Sequence, residues 1–363
     1  MEGRKKPASN SKAPRVLLRE TENFIKQGQW ADALSHARAA GREAEKIGNL
    51  TAMLTAAGHL ERLEDYNLSA YFLAAEGRRR SPSPLPEWDG SSLRGRTLLV
   101  LQRMRHIGAP IRLARFIPLA ARNAKRCIVL AERRLVPLFR RSFSQADVRE
   151  DRDGDQIALA EADVVASYET LCQHLAGDAN SLVKEFVPLR ADAKRVERFR
   201  RQYSNGQKFL VGICWSSTND KKDIPALADW ARMMRSLDAT YVSLQYGDVS
   251  ADVATLRSLS GADVVHDETV DSLADIDTFS AQVAAMDIVV TISNTGAHVA
   301  GALGVPMICI LDDKQHLVWP VRGRQTAWYP SARLVRREAR PWDDVFAEVR
   351  QEIDQRLAAA GIR

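Results

Sequence analysis

Residues 286–311 read MDIVVTISNTGAHVAGALGVPMICIL, and the fold class follows from how that stretch divides. Asp287 to Ser293 is a β-branched apolar run that predicts a buried strand, and Asn294-Thr295-Gly296 breaks it. Ala297 to Leu303 carries small residues that predict a short helix, stopped by Gly304 and Pro306, before Met307 to Leu311 resumes a strand. In an open α/β sheet this layout sets a helix N-terminus at the carboxyl end of a strand. Unpaired backbone N–H groups and the helix dipole there favour an anion. Thr295 adds a hydroxyl donor, and Gly296 lets a phosphate approach the backbone. The competing reading is a strand–helix crossover whose glycines serve packing alone.

Outward from that stretch, apolar strands and helical runs alternate in two blocks. Strands are expected at Thr97 to Gln102, Cys127 to Ala131 and Asp163 to Ala166 in the first block. The second block offers Phe209 to Trp215, Tyr241 to Gln245, Asp263 to His266, Asp287 to Ser293 and Met307 to Leu311. Alternation of this kind predicts parallel sheets in two doubly wound halves, with the ligand in the cleft between them. A polar connection around Ala191 to Gln202 joins the blocks. Before them, Ser81-Pro-Ser-Pro-Leu-Pro86 is a linker, because its prolines forbid helix.

Residues 14–80 read as entirely helical: Val16 to Lys26, Trp30 to Lys46, Leu50 to Leu63 and Asn67 to Arg79. The second pair repeats the first after about 35 residues, close to the tetratricopeptide period, with Leu63 where the turn glycine belongs. Two such hairpins are expected to form a docked helical cap. The expected boundaries are a disordered tail at 1–13, the helical segment 14–80, a linker 81–93, a first α/β domain 94–190, a second 205–340 and a terminal helix 341–363.

The start, MEGRKKPASNSKAPR, is basic and polar and reads as a tail, not a secretory signal. No apolar run reaches membrane-spanning length. Four dispersed cysteines (Cys127, Cys172, Cys214 and Cys309) suggest buried thiols in a reducing compartment, without zinc spacing. Charge is uneven: residues 1–150 hold 28 Lys and Arg against 15 Asp and Glu, the remainder 24 against 31. Between Arg94 and Arg141, 13 basic residues meet a single acid, Glu132. That excess predicts an anionic partner, such as a phosphorylated glycan, a lipid head group or an anionic membrane surface. Nucleic acid is not expected, since no recognition motif accompanies the charge.

Several motifs in order carry a family resemblance. They are Trp88-Asp-Gly90 leading into Leu98-Leu-Val100, Ala114-Arg-Phe-Ile-Pro118, Val211-Gly-Ile-Cys-Trp-Ser216, Val242-Ser-Leu-Gln245 with Gly247, and Asn294-Thr-Gly-Ala-His298 with Ala300-Gly-Ala-Leu-Gly304-Val-Pro306. Trp328-Tyr-Pro330 and Trp342 close the pattern. From about residue 20 onward the chain resembles tetratricopeptide-fused bacterial glycosyltransferases. These are related to the family 9 ADP-heptose transferases of lipopolysaccharide and, more distantly, to O-linked N-acetylglucosamine transferases. The resemblance implies an α/β GT-B fold: two Rossmann-like doubly wound domains preceded by a small tetratricopeptide-like segment. It implies a cytoplasmic enzyme, peripheral at the inner membrane, that moves a sugar from a nucleotide-diphosphate-sugar to a surface-glycan or lipopolysaccharide-type acceptor. No cofactor or metal is required, as helix N-termini and basic side chains neutralise the leaving diphosphate. A protein partner on the helical segment is also implied.

Carried over, the donor diphosphate meets Asn294, Thr295, Gly296 and Ala297, with His298 nearby. Ser216 and Ser217 line the phosphates, Lys221 or Lys222 supplies the cation, and Gln245 and Gly247 lie beside the nucleoside. Arg103, Arg105, Gly108 and Arg112 face the acceptor. The chain departs from the pattern at Gly108-Ala109-Pro110, where the family has Gly-Asp and the aspartate is the general base. His106 is the substitute base nearest in sequence. Asn294 replaces a usual aspartate and Ser217 a usual glycine. The alternative reading is a catalytically silent relative that binds without turnover. A nicotinamide-dependent dehydrogenase is disfavoured, since no spaced triple-glycine fingerprint follows Gln102.

Overall fold

The computed structural model describes residues 13–103, 106–152, 156–204, 209–219, 222–235, 237–314 and 317–359. Four helices come first: α1 (Ala13–Lys26), α2 (Trp30–Lys46), α3 (Leu50–Arg62) and α4 (Tyr66–Arg80). Each packs on its predecessor. The turns between them place Gly28, Gly48 and Glu64 at positive φ, and the third does so without a glycine. Ala33, Ala37, Ala40 and Gly41 bury one face of α2, and a Cβ on Gly41 would run into the Phe72 ring of α4. Small residues are therefore what lets these helices approach.

A four-stranded parallel sheet follows, in the order β3-β2-β1-β4. Its strands are β1 (Thr97–Leu101), β2 (Arg126–Ala131), β3 (Asp147–Glu150) and β4 (Val164–Ser167). The proline linker runs along its edge, with the Trp88 N–H donating to Val165 O at 2.7 Å. The helix after β1, α5 (Gly108–Leu113), continues through a 3-10 turn into Ile117–Asn123.

The second sheet has six parallel strands in the order β10-β9-β8-β5-β6-β7. They are β5 (Phe209–Cys214), β6 (Ala239–Ser243), β7 (Asp263–Val265), β8 (Ile288–Ile292), β9 (Met307–Leu311) and β10 (Ala332–Arg336). Strand order reverses between β5 and β8, so the carboxyl ends of these two flank the place where such sheets receive ligands. The terminal helix Trp342–Ala359 packs on β10 and on the helix Leu227–Met234.

Three features differ from the sequence reading. The stretch around 191–202, read as a polar connection, is the helix Ala193–Ser204, which buries Phe199 and Tyr203 against the second unit. Strands β3 and β10 were not expected. Both are short edge strands with the sequences DVRE and ARLVR, too charged to read as apolar runs.

One apolar core runs through the molecule. It joins Tyr66 and Ala70 of α4 to the first sheet, and Trp328, Tyr329 and the cleft-facing side of the second sheet. The far side of the second sheet has its own core under the terminal helix. Arg115, from the first unit, ties the halves by donating to the carbonyls of Ala327 (3.2 Å), Trp328 (3.1 Å) and Leu182. Arg141 adds a bidentate pair with Asp277 at 2.8 and 3.0 Å.

Candidate active site

Between the two sheets, under α3 and α4, lies a cavity of about 560 Å³. Its floor is the β5/β8 reversal. Asn294 ends β8 in extended conformation and caps the helix Thr295–Ala302: its Oδ1 accepts the Ala297 N–H at 3.1 Å. Its Nδ2 donates to Ser216 O at 3.3 Å, stapling β8 to β5. Gln245 holds the same residue from the other side, its Oε1 accepting the Ser216 N–H at 2.8 Å. Two orphan donors of the helix remain, the amides of Thr295 and Gly296, which have no partner among the described residues; both residues line the cavity. A Cβ on Gly296 would stand 2.9 Å from Cys214 Sγ, so only glycine fits there.

Lys222 faces this helix start. Its Nζ donates to Ser293 O and, at 3.2 Å, to Ser217 Oγ, and burial lowers its pKa. A desolvated ammonium lining the same cavity as two open amides has the chemistry to receive an anion. His298, one turn into the helix, stacks on Trp319 with centroids 5.7 Å apart and planes 3° from parallel. Its Nδ1 meets Tyr329 Oη at 2.8 Å, and a Cβ on Gly108 would lie 2.8 Å from its Cδ2. Burial, then Arg112 and Lys222, push the imidazole pKa down to about 3. It is neutral at any working pH.

Of the residues expected at the site, His106, Gly108, Arg112, Ser217, Lys222, Asn294, Thr295, Gly296 and His298 line the cavity. Lys221 and Arg105 lie outside the described residues. Ser216 and Gln245 back the floor through the bond above, and Gly247, at φ +84°, stands off the cavity. Tyr246 lines the cavity instead, with Leu244, Ile276 and Phe279. Ala297 is fully buried and its amide is spent on Asn294, so it offers an anion nothing.

Of the three arginines expected to hold an acceptor, the two described ones, Arg103 and Arg112, are paired with acids. Arg103, its side chain 1% exposed, forks onto Glu87. Arg112 pairs with Glu61 of α3, both side chains buried, and lies 4.4 Å above the Trp328 ring. The same holds for much of the basic excess: Arg126 and Arg149 share Asp147 and Glu161, and Arg134 grips Glu132. Charge counted along the chain overstated the free charge in space, because the balancing acids come from distant segments.

No local pattern marks α3 and α4 as a wall of the site, yet Leu54, Ala57, Gly58, Glu61, Ser69 and Leu73 all line the cavity. A loop after β9 closes the same side. Leu317 rests on Gly58, the Val321 N–H donates to Arg62 O at 2.9 Å, and Arg322 sits 5.4 Å from the Trp30 ring. The same loop carries Trp319, whose Nε1 donates to Ser293 Oγ at 2.8 Å. Among the described residues no cluster of three or more His, Cys, Asp or Glu is placed to hold a metal ion. The four cysteines are buried free thiols.

No protein-family model matches the sequence. Protein FlbA of Caulobacter vibrioides is 27% identical over 287 residues, which cover 73% of this chain. The chain spans about half (48%) of the length of that curated relative. Among solved structures, the Escherichia coli ADP-heptose LPS heptosyltransferase II superposes with a TM-score of 0.52 at 11% identity, covering 73% of this chain and 99% of the other. A glycosyl transferase family 9 structure from Veillonella parvula gives 0.48 at 11% identity, covering 73% and 90%. At 11% identity the likeness to the Escherichia coli structure speaks for architecture alone: this is the two-domain GT-B fold with a helical segment in front.

Proposed function

We propose that the cavity binds a nucleotide-diphosphate-sugar and that the protein transfers the sugar to a surface-glycan or lipopolysaccharide-type acceptor. The observation that carries this is the opposition of Lys222 Nζ to the open Thr295 and Gly296 amides at the strand-order reversal. Three donors on the wall of one cavity suit the charge that grows on a departing diphosphate. The GT-B architecture adds support, since the solved structure that shares it is an ADP-heptose transferase by name. In this reading the nucleoside lies along Leu244, Tyr246, Ile276 and Phe279. The acceptor comes from the side of His106, which lines both the cavity and a groove of about 1040 Å³ over the first sheet. The same reading sets the reaction in the cytoplasm, peripheral at the inner membrane; no described helix is long and apolar enough to cross a membrane. The helical segment, tetratricopeptide-like in its period, is read as part of the site.

The test is release of nucleoside diphosphate from ADP-, UDP- and GDP-sugars, with and without glycan acceptors. Turnover of one donor, dependent on Lys222, is the expected result; failure of every nucleotide to bind would end the reading. A second reading has its own observation. Ala109 lines the cavity where the family's aspartate would stand, so a silent binder is the alternative. Tight donor binding without release, and turnover gained in Ala109→Asp, would favour it.

A further inference from the structure

Among the described residues that line the cavity, Glu61 is the only carboxylate. It comes from α3, outside both α/β domains, yet it reaches the helix that lost its acid. Arg112, which binds Glu61 Oε1, lies three residues beyond Ala109 and four beyond Gly108, on the same face of α5. Gly108, Ala109, Arg112 and Glu61 all border the same space. The other oxygen, Glu61 Oε2, lies 3.0 Å from Ser69 Oγ, whose single proton it shares with the Ala57 carbonyl at 2.9 Å. The two oxygens have four lone pairs between them, and Arg112, Ser69 and Trp328 engage at most three, so the carboxylate keeps acceptor capacity.

We propose that Glu61 is the catalytic carboxylate of this protein, supplied by the helical segment in place of the aspartate missing at position 109. The proposal rests on the glycosyl-transfer reading above. The acceptor hydroxyl gives its proton to a Glu61 oxygen as the acceptor oxygen bonds to the anomeric carbon. The bond from that carbon to the diphosphate oxygen breaks, and its electron pair leaves with the nucleoside diphosphate at Thr295, Gly296 and Lys222. Glu61 returns the proton to solvent when the products go. Burial raises the Glu61 pKa, against the pull of Arg112, Ser69 and Trp328, which is the direction a proton acceptor needs. The charged and titratable groups facing it are Arg112 of α5, Tyr66 of α4, Cys172 of the helix Tyr168–Leu175 and Tyr329. His298 is a poor rival, bound to Tyr329 at Nδ1 and set among cations.

The experiment compares full-length wild type, Glu61→Gln, Ser69→Ala, His106→Ala and the double variant Glu61→Gln/Ala109→Asp. Read-outs are kcat and KM for the best donor, nucleoside diphosphate binding, and melting temperature. Glu61→Gln is expected to lower kcat ~10²–10⁴-fold, the usual range for a general base, with binding retained. The double variant should regain part of that loss. Ser69→Ala removes a bond that favours the carboxylate, so the acid limb of kcat/KM should move to higher pH. A Glu61→Gln protein that binds nucleotide and turns over like wild type overturns the proposal. So does a loss in Glu61→Gln that Ala109→Asp does not relieve while Ser69→Ala leaves the pH profile in place. A full loss in His106→Ala beside none in Glu61→Gln transfers the role to His106. Wild type that binds donors but never releases nucleoside diphosphate overturns both this role and the reading beneath it.

Discussion

Lys222 is the most exposed to test of the single residues. Its ammonium is held by a carbonyl and a hydroxyl, neither of which neutralises it. A hydrogen bond to a charged group is worth about 1.5–3 kcal/mol, so Lys222→Ala should weaken nucleoside diphosphate binding ~10- to 150-fold by calorimetric titration. Unchanged affinity would remove Lys222 from the site. His298 supplies a second prediction, in stability. Its folded pKa of about 3 lies below the ordinary 6.5, so the native state refuses a proton that the unfolded chain accepts. Stability from this group is complete above about pH 6.5 and falls by up to about 1.4 kcal/mol per pH unit down to about pH 3. His59, pushed down to about 4 first by burial, acts with the same sign. Urea titrations should show a shallower acid decline in His298→Gln; an identical slope would contradict the buried neutral imidazole. At this scale the sequence pointed to Thr295 and Gly296, because a turn motif brings its own chemistry, and left Lys221 and Lys222 as alternatives for the cation. Glu61 stayed hidden, because its partner Arg112 is 51 residues away and nothing local marks an acid on a helix face.

Among elements, the helix Thr295–Ala302 hangs on one side chain. Asn294 both caps it and reaches Ser216 O. Loss of a cap costs ~1 kcal/mol, and loss of the cross-strand bond adds about as much. Asn294→Ala should therefore lower unfolding free energy by about 2 kcal/mol and weaken nucleotide binding with it. Retained stability would show that the helix start needs no cap. Most elements were legible: the apolar strands β1, β2, β5, β8 and β9 announced themselves by β-branched runs. What escaped notice was amphipathic or at an edge. The helix Ala193–Ser204 buries only Phe199 and Tyr203, and its other positions are mostly charged. Strands β3 and β10 each have one neighbour, so half their surroundings are polar.

For the whole molecule, the two α/β halves could be read from alternation and a docked helical cap from the paired hairpins, but the residues that make the docking contact could not. Glu61 leaves α3 to meet Arg112, and Tyr66 packs edge-on to Trp328 at 4.9 Å. Removing residues 13–80 would take away the acid that pairs with Arg112 and open the shared apolar core to water. The truncated chain is expected to aggregate or to melt without a cooperative transition by calorimetry; a soluble fragment with the wild-type melting profile would contradict this. The loop from β9 extends the point. Because Leu317 lies on Gly58 and Val321 bonds to Arg62 while Trp319 covers His298, the helical head is no interchangeable module. A chimaera that grafts another head onto these sheets inherits a misfitted imidazole unless Gly58, Glu61 and Arg62 travel with it.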